Sequence, residues 1–79
     1  MGRIQFTLEK TLNELNMSPY RLSVISQVRS NTITDMVNNQ SSRINISTLE
    51  LIITSLNKIA DERNLDRSYN INDVFIYVE

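Results

Sequence analysis

The sequence predicts a mostly α-helical domain spanning residues 1–79, with a small two-stranded antiparallel sheet formed by its N- and C-terminal strands. Three observations carry this reading. Apolar residues recur at steps of three and four in successive segments, and residues that favour helix caps open those segments. Short alternating or β-branched and aromatic stretches stand at the two ends. A single glycine and a single proline rule out collagen, Gly-rich phosphate loops and Pro-rich docking segments.

In order along the chain, Arg3 to Phe6 alternates polar and apolar side chains, the pattern of a short strand. Thr7 is a candidate cap for a first helix, with Glu9 near its positive end. Leu8, Leu12 and Leu15 form that helix's apolar stripe, and Asn16, tolerant of the left-handed conformation, ends it. Ser18 and Pro19 restart a helix, as N-cap and first helical residue, that runs to about Ser26 with Leu22 and Ile25 inward. After Gln27 and Val28 a third helix begins near Arg29 and Ser30. It buries Ile33, Met36 and Val37 and ends at Asn38 and Asn39. Gln40 to Asn45 reads as a polar loop.

Ser47, Thr48, Leu49 and Glu50 have the spacing of a capping box and are expected to open the longest helix. Its stripe is Leu49, Ile52, Ile53, Leu56, Ile59 and Ala60, closed by Asp61, Glu62 and Arg63. Residues 64–70 form a loop, and Asn72 or Asp73 caps one more turn. Phe75 to Val78 suits a terminal strand paired with Ile4 to Phe6, because a two-stranded ribbon is stable when packed on helices.

The composition excludes several classes of function. With no cysteine and no histidine, the chain lacks disulfides, thiolate metal sites and the usual general base. No nucleophile–base pair, metal cluster or Gly-rich phosphate loop is apparent, so neither catalysis nor a cofactor or metal is expected. No apolar run reaches the roughly 18 residues of a membrane span, and no signal peptide is recognisable. A cytoplasmic location is expected, with no membrane partner and no small-molecule ligand evident. Ten isoleucines argue against disorder, whereas ten asparagines and nine serines supply polar surface.

The informative unit lies at about 18–39. Two helices of roughly eight to ten residues separated by about three make a helix-turn-helix, in which the second helix projects small polar side chains that can enter a major groove. Helix N-termini also aim backbone N–H groups at phosphates. Among the outward residues, Asn31 has the amide for a bidentate contact to adenine, and Ser30 and Thr34 suit base or phosphate. Asp35 accepts from cytosine N4, rejects the wrong base pattern, or points away from the groove. Arg21, Arg29 and Arg43, with Tyr20, are the phosphate candidates.

Met17 to Ser23, Val28 to Met36, Arg43 to Leu49 and Asp73 to Val78, taken in order and spacing, resemble the lambda-repressor/Cro-like helix-turn-helix family, also called the XRE family. They resemble in particular a compact subgroup in which the whole chain is the domain. The resemblance implies a five-helix DNA-binding fold and a transcriptional regulator, often of phages and mobile elements and often a homodimer on inverted-repeat operators. It assigns Leu22, Val28, Ile33 and Met36 to the core and Ser23 to a close helix approach. Ser30, Asn31, Thr34 and Asp35 take base-facing positions. Thr32, Asn38 and the loop through Arg43 take backbone-facing ones.

Three positions depart from the family pattern. Gln27 replaces a common glycine, which implies a strained turn or one of another type. Pro19 replaces a DNA-touching glutamine. Arg29 replaces a Ser or Thr cap, leaving Ser30 to cap the helix one residue later.

The leading expectation is therefore a small repressor-type regulator that binds a double-stranded DNA operator, and the alternative is a protein-interaction adaptor or anti-repressor on the same scaffold. The net charge of −1 opposes DNA binding at first sight. Residues 18–46, however, hold three arginines against Asp35 alone, a local +2. The remaining five cations and eight acids give −3 elsewhere.

Overall fold

The computed structural model describes residues 1–79. The elements run β1 (Arg3–Phe6), α1 (Leu8–Glu14), α2 (Pro19–Ser26), α3 (Ser30–Val37), α4 (Ile46–Glu62), a 3-10 turn (Ile71–Asp73) and β2 (Phe75–Val78). The fold has four α-helices where the family resemblance implied five. Between α4 and β2 only the short polar 3-10 turn is helical, and residues 64–70 lack the apolar repeat that would bury a fifth helix.

The core is built from the stripes visible in the sequence. Leu8, Leu12 and Leu15 of the first segment, Leu22 of α2, Ile33 and Met36 of α3, Ile52 and Leu56 of α4, and Val74 are all fully or almost fully buried. Truncation of such a leucine costs about 2–5 kcal/mol. Ile25, Val37 and Ile53 are only half-buried and pack on the edge of this cluster. Asn16 takes the left-handed conformation with φ 52° and ends the first helical segment, and Asn64 does the same after α4 with φ 57°.

The capping chemistry differs from the sequence expectation at three helices. The N-cap of α4 is Asn45, whose Oδ1 accepts from the N–H groups of Ser47 at 2.8 Å and Thr48 at 3.4 Å. Asn45 holds the extended backbone that a cap requires, so the helix starts at Ile46 and Ser47 lies already inside it. Thr7 precedes α1 without capping it, because its φ of −111° and ψ of 6° are not extended. Its hydroxyl donates instead to the Asn72 carbonyl at 2.7 Å. Ser30 is the first helical residue of α3 and does not cap it. Arg29 stands at the N-cap and makes no side-chain cap bond.

β1 and β2 pair antiparallel in the register Arg3–Val78, Ile4–Tyr77, Gln5–Ile76 and Phe6–Phe75. Directly opposed residues share a face. Phe6 and Phe75 therefore meet edge to face, with centroids 5.9 Å apart, and both pack on the core. Ile4 and Tyr77 continue that face outward and are 51% and 62% exposed.

Further bonds tie the two ends of the chain together. The Thr7 N–H donates to the Val74 carbonyl at 2.8 Å, and the Thr11 hydroxyl donates to the Asp73 carbonyl at 2.7 Å. The 3-10 turn is capped by Asn70, not by Asn72 or Asp73. Asn70 accepts from the Asn72 N–H, while Asp73 accepts from the Asn70 N–H. Arg67 bridges Glu14 and Asp73, each at 2.7 Å, and lies 4.5 Å from the centre of the Tyr69 ring.

Candidate nucleic-acid interface

α2 and α3 form a helix-turn-helix, two eight-residue helices joined by Gln27, Val28 and Arg29. Local chemistry sets both ends of α2. Ser18 is extended and accepts from the Arg21 N–H at 3.1 Å, and Pro19 follows at the first helical position. At the other end Gln27 is left-handed, with φ 61° and ψ 20°. The turn thus keeps the backbone shape for which glycine is suited, and a residue with a Cβ bears it at a cost.

Ser26 organises this turn. Its buried hydroxyl donates to the Leu22 carbonyl at 2.7 Å and accepts from the Val28 N–H at 3.3 Å. This role is not visible in the sequence, where Ser26 reads only as a helix end. Ser23 is buried and donates to the Tyr20 carbonyl at 2.6 Å, which suits the small residue expected where α2 and α3 approach. Val28 is buried as the hydrophobe of the turn.

α3 is divided sharply in two. Ile33 and Met36 are fully buried, and Val37 is half-buried. On the opposite side Ser30, Asn31, Thr34, Asp35 and Asn38 are all exposed, while Thr32 is half-buried. The exposed residues follow helical spacing and form one polar strip. Because Arg29 does not cap α3, no side chain occupies its first-turn N–H groups.

The α3–α4 loop packs back toward this strip. The Gln40 N–H donates to the Asp35 carbonyl at 2.7 Å, and the Ser41 hydroxyl donates to the Arg43 carbonyl at 2.8 Å. A shallow hollow beside α3 is lined by Thr32, Asp35 and Arg43 together with Gln40 and the two loop serines. The structure thus gathers three of the candidate residues around one depression.

Asn39 is left-handed with φ 59°, and its Oδ1 accepts from the Phe6 N–H at 2.9 Å. It belongs to the architecture of the site and was not among the sequence candidates. Its place at the helix end was legible, but its partner 33 residues away was not.

The arginines fall into two groups. Arg63 donates to the Leu15 carbonyl, and Arg67 is held by Glu14 and Asp73. Desolvation opposes the charge on Arg67, but Glu14, Tyr69 and Asp73 outweigh it and raise its pKa. Arg21, Arg29 and Arg43 are exposed, and no carboxylate forms an ion pair with any of them. Tyr20 is 71% exposed at the start of α2. No helix is long and apolar enough to cross a membrane.

A family model described as the Cro/C1-type HTH DNA-binding domain matches residues 7–62, which include α1 to α4 and therefore the whole helix-turn-helix. No curated protein and no solved structure matches the chain.

Proposed function

The chain belongs to the Cro/C1-type helix-turn-helix DNA-binding family, and from that premise we propose that it is a sequence-specific repressor of the phage or mobile-element type. The observation that carries this reading is the division of α3, fully buried at Ile33 and Met36 and polar and exposed from Ser30 to Asn38. A helix supported so firmly on one side can present the other to base edges in a major groove.

Asn31 pairs with adenine, and Ser30, Thr34 and Asp35 read neighbouring positions. Asp35 does so by accepting from cytosine or by repelling acceptor-rich edges. Tyr20, Arg21, Arg29, Thr32, Asn38 and Arg43 hold the flanking backbone, aided by the uncapped N–H groups at the start of α3. Two copies on an inverted repeat would set their α3 helices about 34 Å apart, one turn of DNA. Bound there, the pair excludes polymerase from a promoter.

Selection of bound sites from random double-stranded DNA, followed by gel-shift titration, tests the proposal. A recovered palindrome bound far more tightly than bulk DNA is the expected result. Failure to shift any fragment at low salt with micromolar protein would favour the adaptor reading, which draws on Asp35 and the low overall charge.

A further inference from the structure

The face of the terminal ribbon that carries Phe6 and Phe75 does not rest wholly on the core. Between it and the α3–α4 loop lies an open hollow of about 240 Å³. Ile4, Phe6, Ile44 and Phe75 line it with apolar surface, and Arg43 and Asn39 stand among its polar lining. The polar groups here are unevenly matched. No acidic side chain lines the hollow, and the Arg43 guanidinium makes no ion pair or hydrogen bond within the chain. Asn39 commits its Oδ1 to the Phe6 N–H, which leaves its NH₂ as a donor without a partner in the chain. An apolar lining with surplus donors and one uncompensated cation is complementary to an anion with an apolar tail. The volume lies below the roughly 300–1,000 Å³ of sites for drug-sized ligands, which restricts the occupant to a small molecule.

We propose that this hollow binds a small apolar-tailed carboxylate, and that its occupation withdraws Arg43 from DNA. Arg43 lines both this hollow and the depression beside Thr32 and Asp35 of α3, so one residue borders the two surfaces. A carboxylate on the ribbon side takes the guanidinium in a charge-assisted pair and removes a cation from the DNA-facing side. Asn39 couples the same two regions, since it ends α3 and holds β1 through Phe6. The regulatory half of this proposal rests on the DNA-binding reading, whereas the ligand site does not.

The test uses the full chain, ¹⁵N-labelled, titrated separately with octanoate, octan-1-ol and acetate in the absence of DNA. The expected result is saturable shifts of the Phe6, Asn39, Arg43 and Ile44 amide signals with octanoate by about 1 mM, a weak but specific affinity. Octanol, lacking the charge, and acetate, lacking the tail, are expected to bind at least about tenfold more weakly. Arg43→Gln alters an exposed side chain that holds nothing in the fold and should weaken octanoate about tenfold without changing octanol. No saturation by about 1 mM, equal response to octanol, or shifts centred away from the hollow would overturn the site.

In a second arm, octanoate is added to the selected DNA complex. A several-fold loss of affinity for the unmodified chain, absent in Arg43→Gln, supports the regulatory half. Octanoate binding that leaves DNA affinity unchanged overturns it. A chain that binds no DNA removes the functional reading and that half with it, while the titration without DNA still decides the site.

Discussion

The Asn39 side-chain oxygen accepts a hydrogen bond from the Phe6 N–H at 2.9 Å, which joins the end of α3 to the N-terminal strand across 33 residues of sequence. Asn39 therefore does two separable things. It occupies the left-handed conformation at φ 59°, and it satisfies a backbone donor that points away from β2.

These roles are expected to part in two substitutions. Asn39→Gly keeps the backbone shape, loses the bond at about 0.5–1.5 kcal/mol and adds roughly 0.5–1 kcal/mol through the greater freedom of the unfolded chain. Asn39→Ala loses the bond and also strains the backbone, adding about 1–2 kcal/mol. Urea unfolding of both variants measures the difference. A glycine variant less stable than the alanine variant by about 0.5–1 kcal/mol would mean that the left-handed geometry contributes nothing.

Gln27 offers the converse experiment. It is exposed, its side chain makes no hydrogen bond, and it bears a φ of 61° in the turn between α2 and α3. Gln27→Gly relieves about 1–2 kcal/mol of strain and returns roughly 0.5–1 kcal/mol through the greater freedom of the unfolded chain. A net gain of up to about 1.5 kcal/mol is expected. β-branched Gln27→Val should destabilise. A lower unfolding midpoint for the glycine variant would show that the turn is not strained at this residue.

The sequence was most readable where a signal is local. Asn16 and Asn39 end helices because asparagine tolerates the left-handed conformation, and the apolar stripes of α1, α3 and α4 became the core. Capping was harder to read because neighbouring residues compete for it. Asn45 and Ser47 both suit the start of α4, and only the extended backbone at 45 decides between them. The Thr7 hydroxyl was drawn away by Asn72, 65 residues distant. The fifth helix came from family resemblance, and the residues before β2 have no apolar repeat to support it. In the candidate interface, exposure of the outward residues on α3 follows from helical spacing, but the closeness of Arg43 to Thr32 and Asp35 depends on a loop path with no sequence period.

Asn57 is expected to matter more for stability than its half-buried position on α4 suggests. Its amide pairs with the backbone of buried Tyr69 twice, accepting from the N–H at 2.6 Å and donating to the carbonyl at 3.0 Å. Asn57→Ala strands both backbone groups, and a loss of about 2–4 kcal/mol is expected. Asn57→Asp retains only the acceptor and should fall between alanine and the unmodified chain. Thermal unfolding ranks the three, and an alanine variant within about 0.5 kcal/mol of the parent would remove this role.

On the proposed DNA face, base and backbone contacts give different patterns of loss. Asn31→Ala should lower affinity for the selected site by about 1–3 kcal/mol and leave binding to unrelated DNA unchanged. Arg43→Gln should weaken both about equally. If Asn31→Ala weakened every sequence alike, Asn31 would belong with the backbone contacts.

The same electrostatics sets an expected response to salt. Of the eight cations, Arg63 and Arg67 are engaged within the fold, and Arg21, Arg29 and Arg43 lie in or beside the helix-turn-helix. Each phosphate neutralised contributes about −0.9 to the slope of log affinity against log salt, so three arginines give about −3 per copy. This is a shallow dependence for a DNA-binding chain, and it shifts the load of tight binding to base contacts and backbone N–H groups. Titrations across a salt series measure the slope, and Arg43→Gln should reduce it by about 1 per copy. A slope near −6 per copy would require Arg3, Lys10 and Lys58 to reach DNA as well. Those residues are exposed but belong to β1, α1 and α4, so such a slope would replace a face centred on α3 with one that wraps the domain.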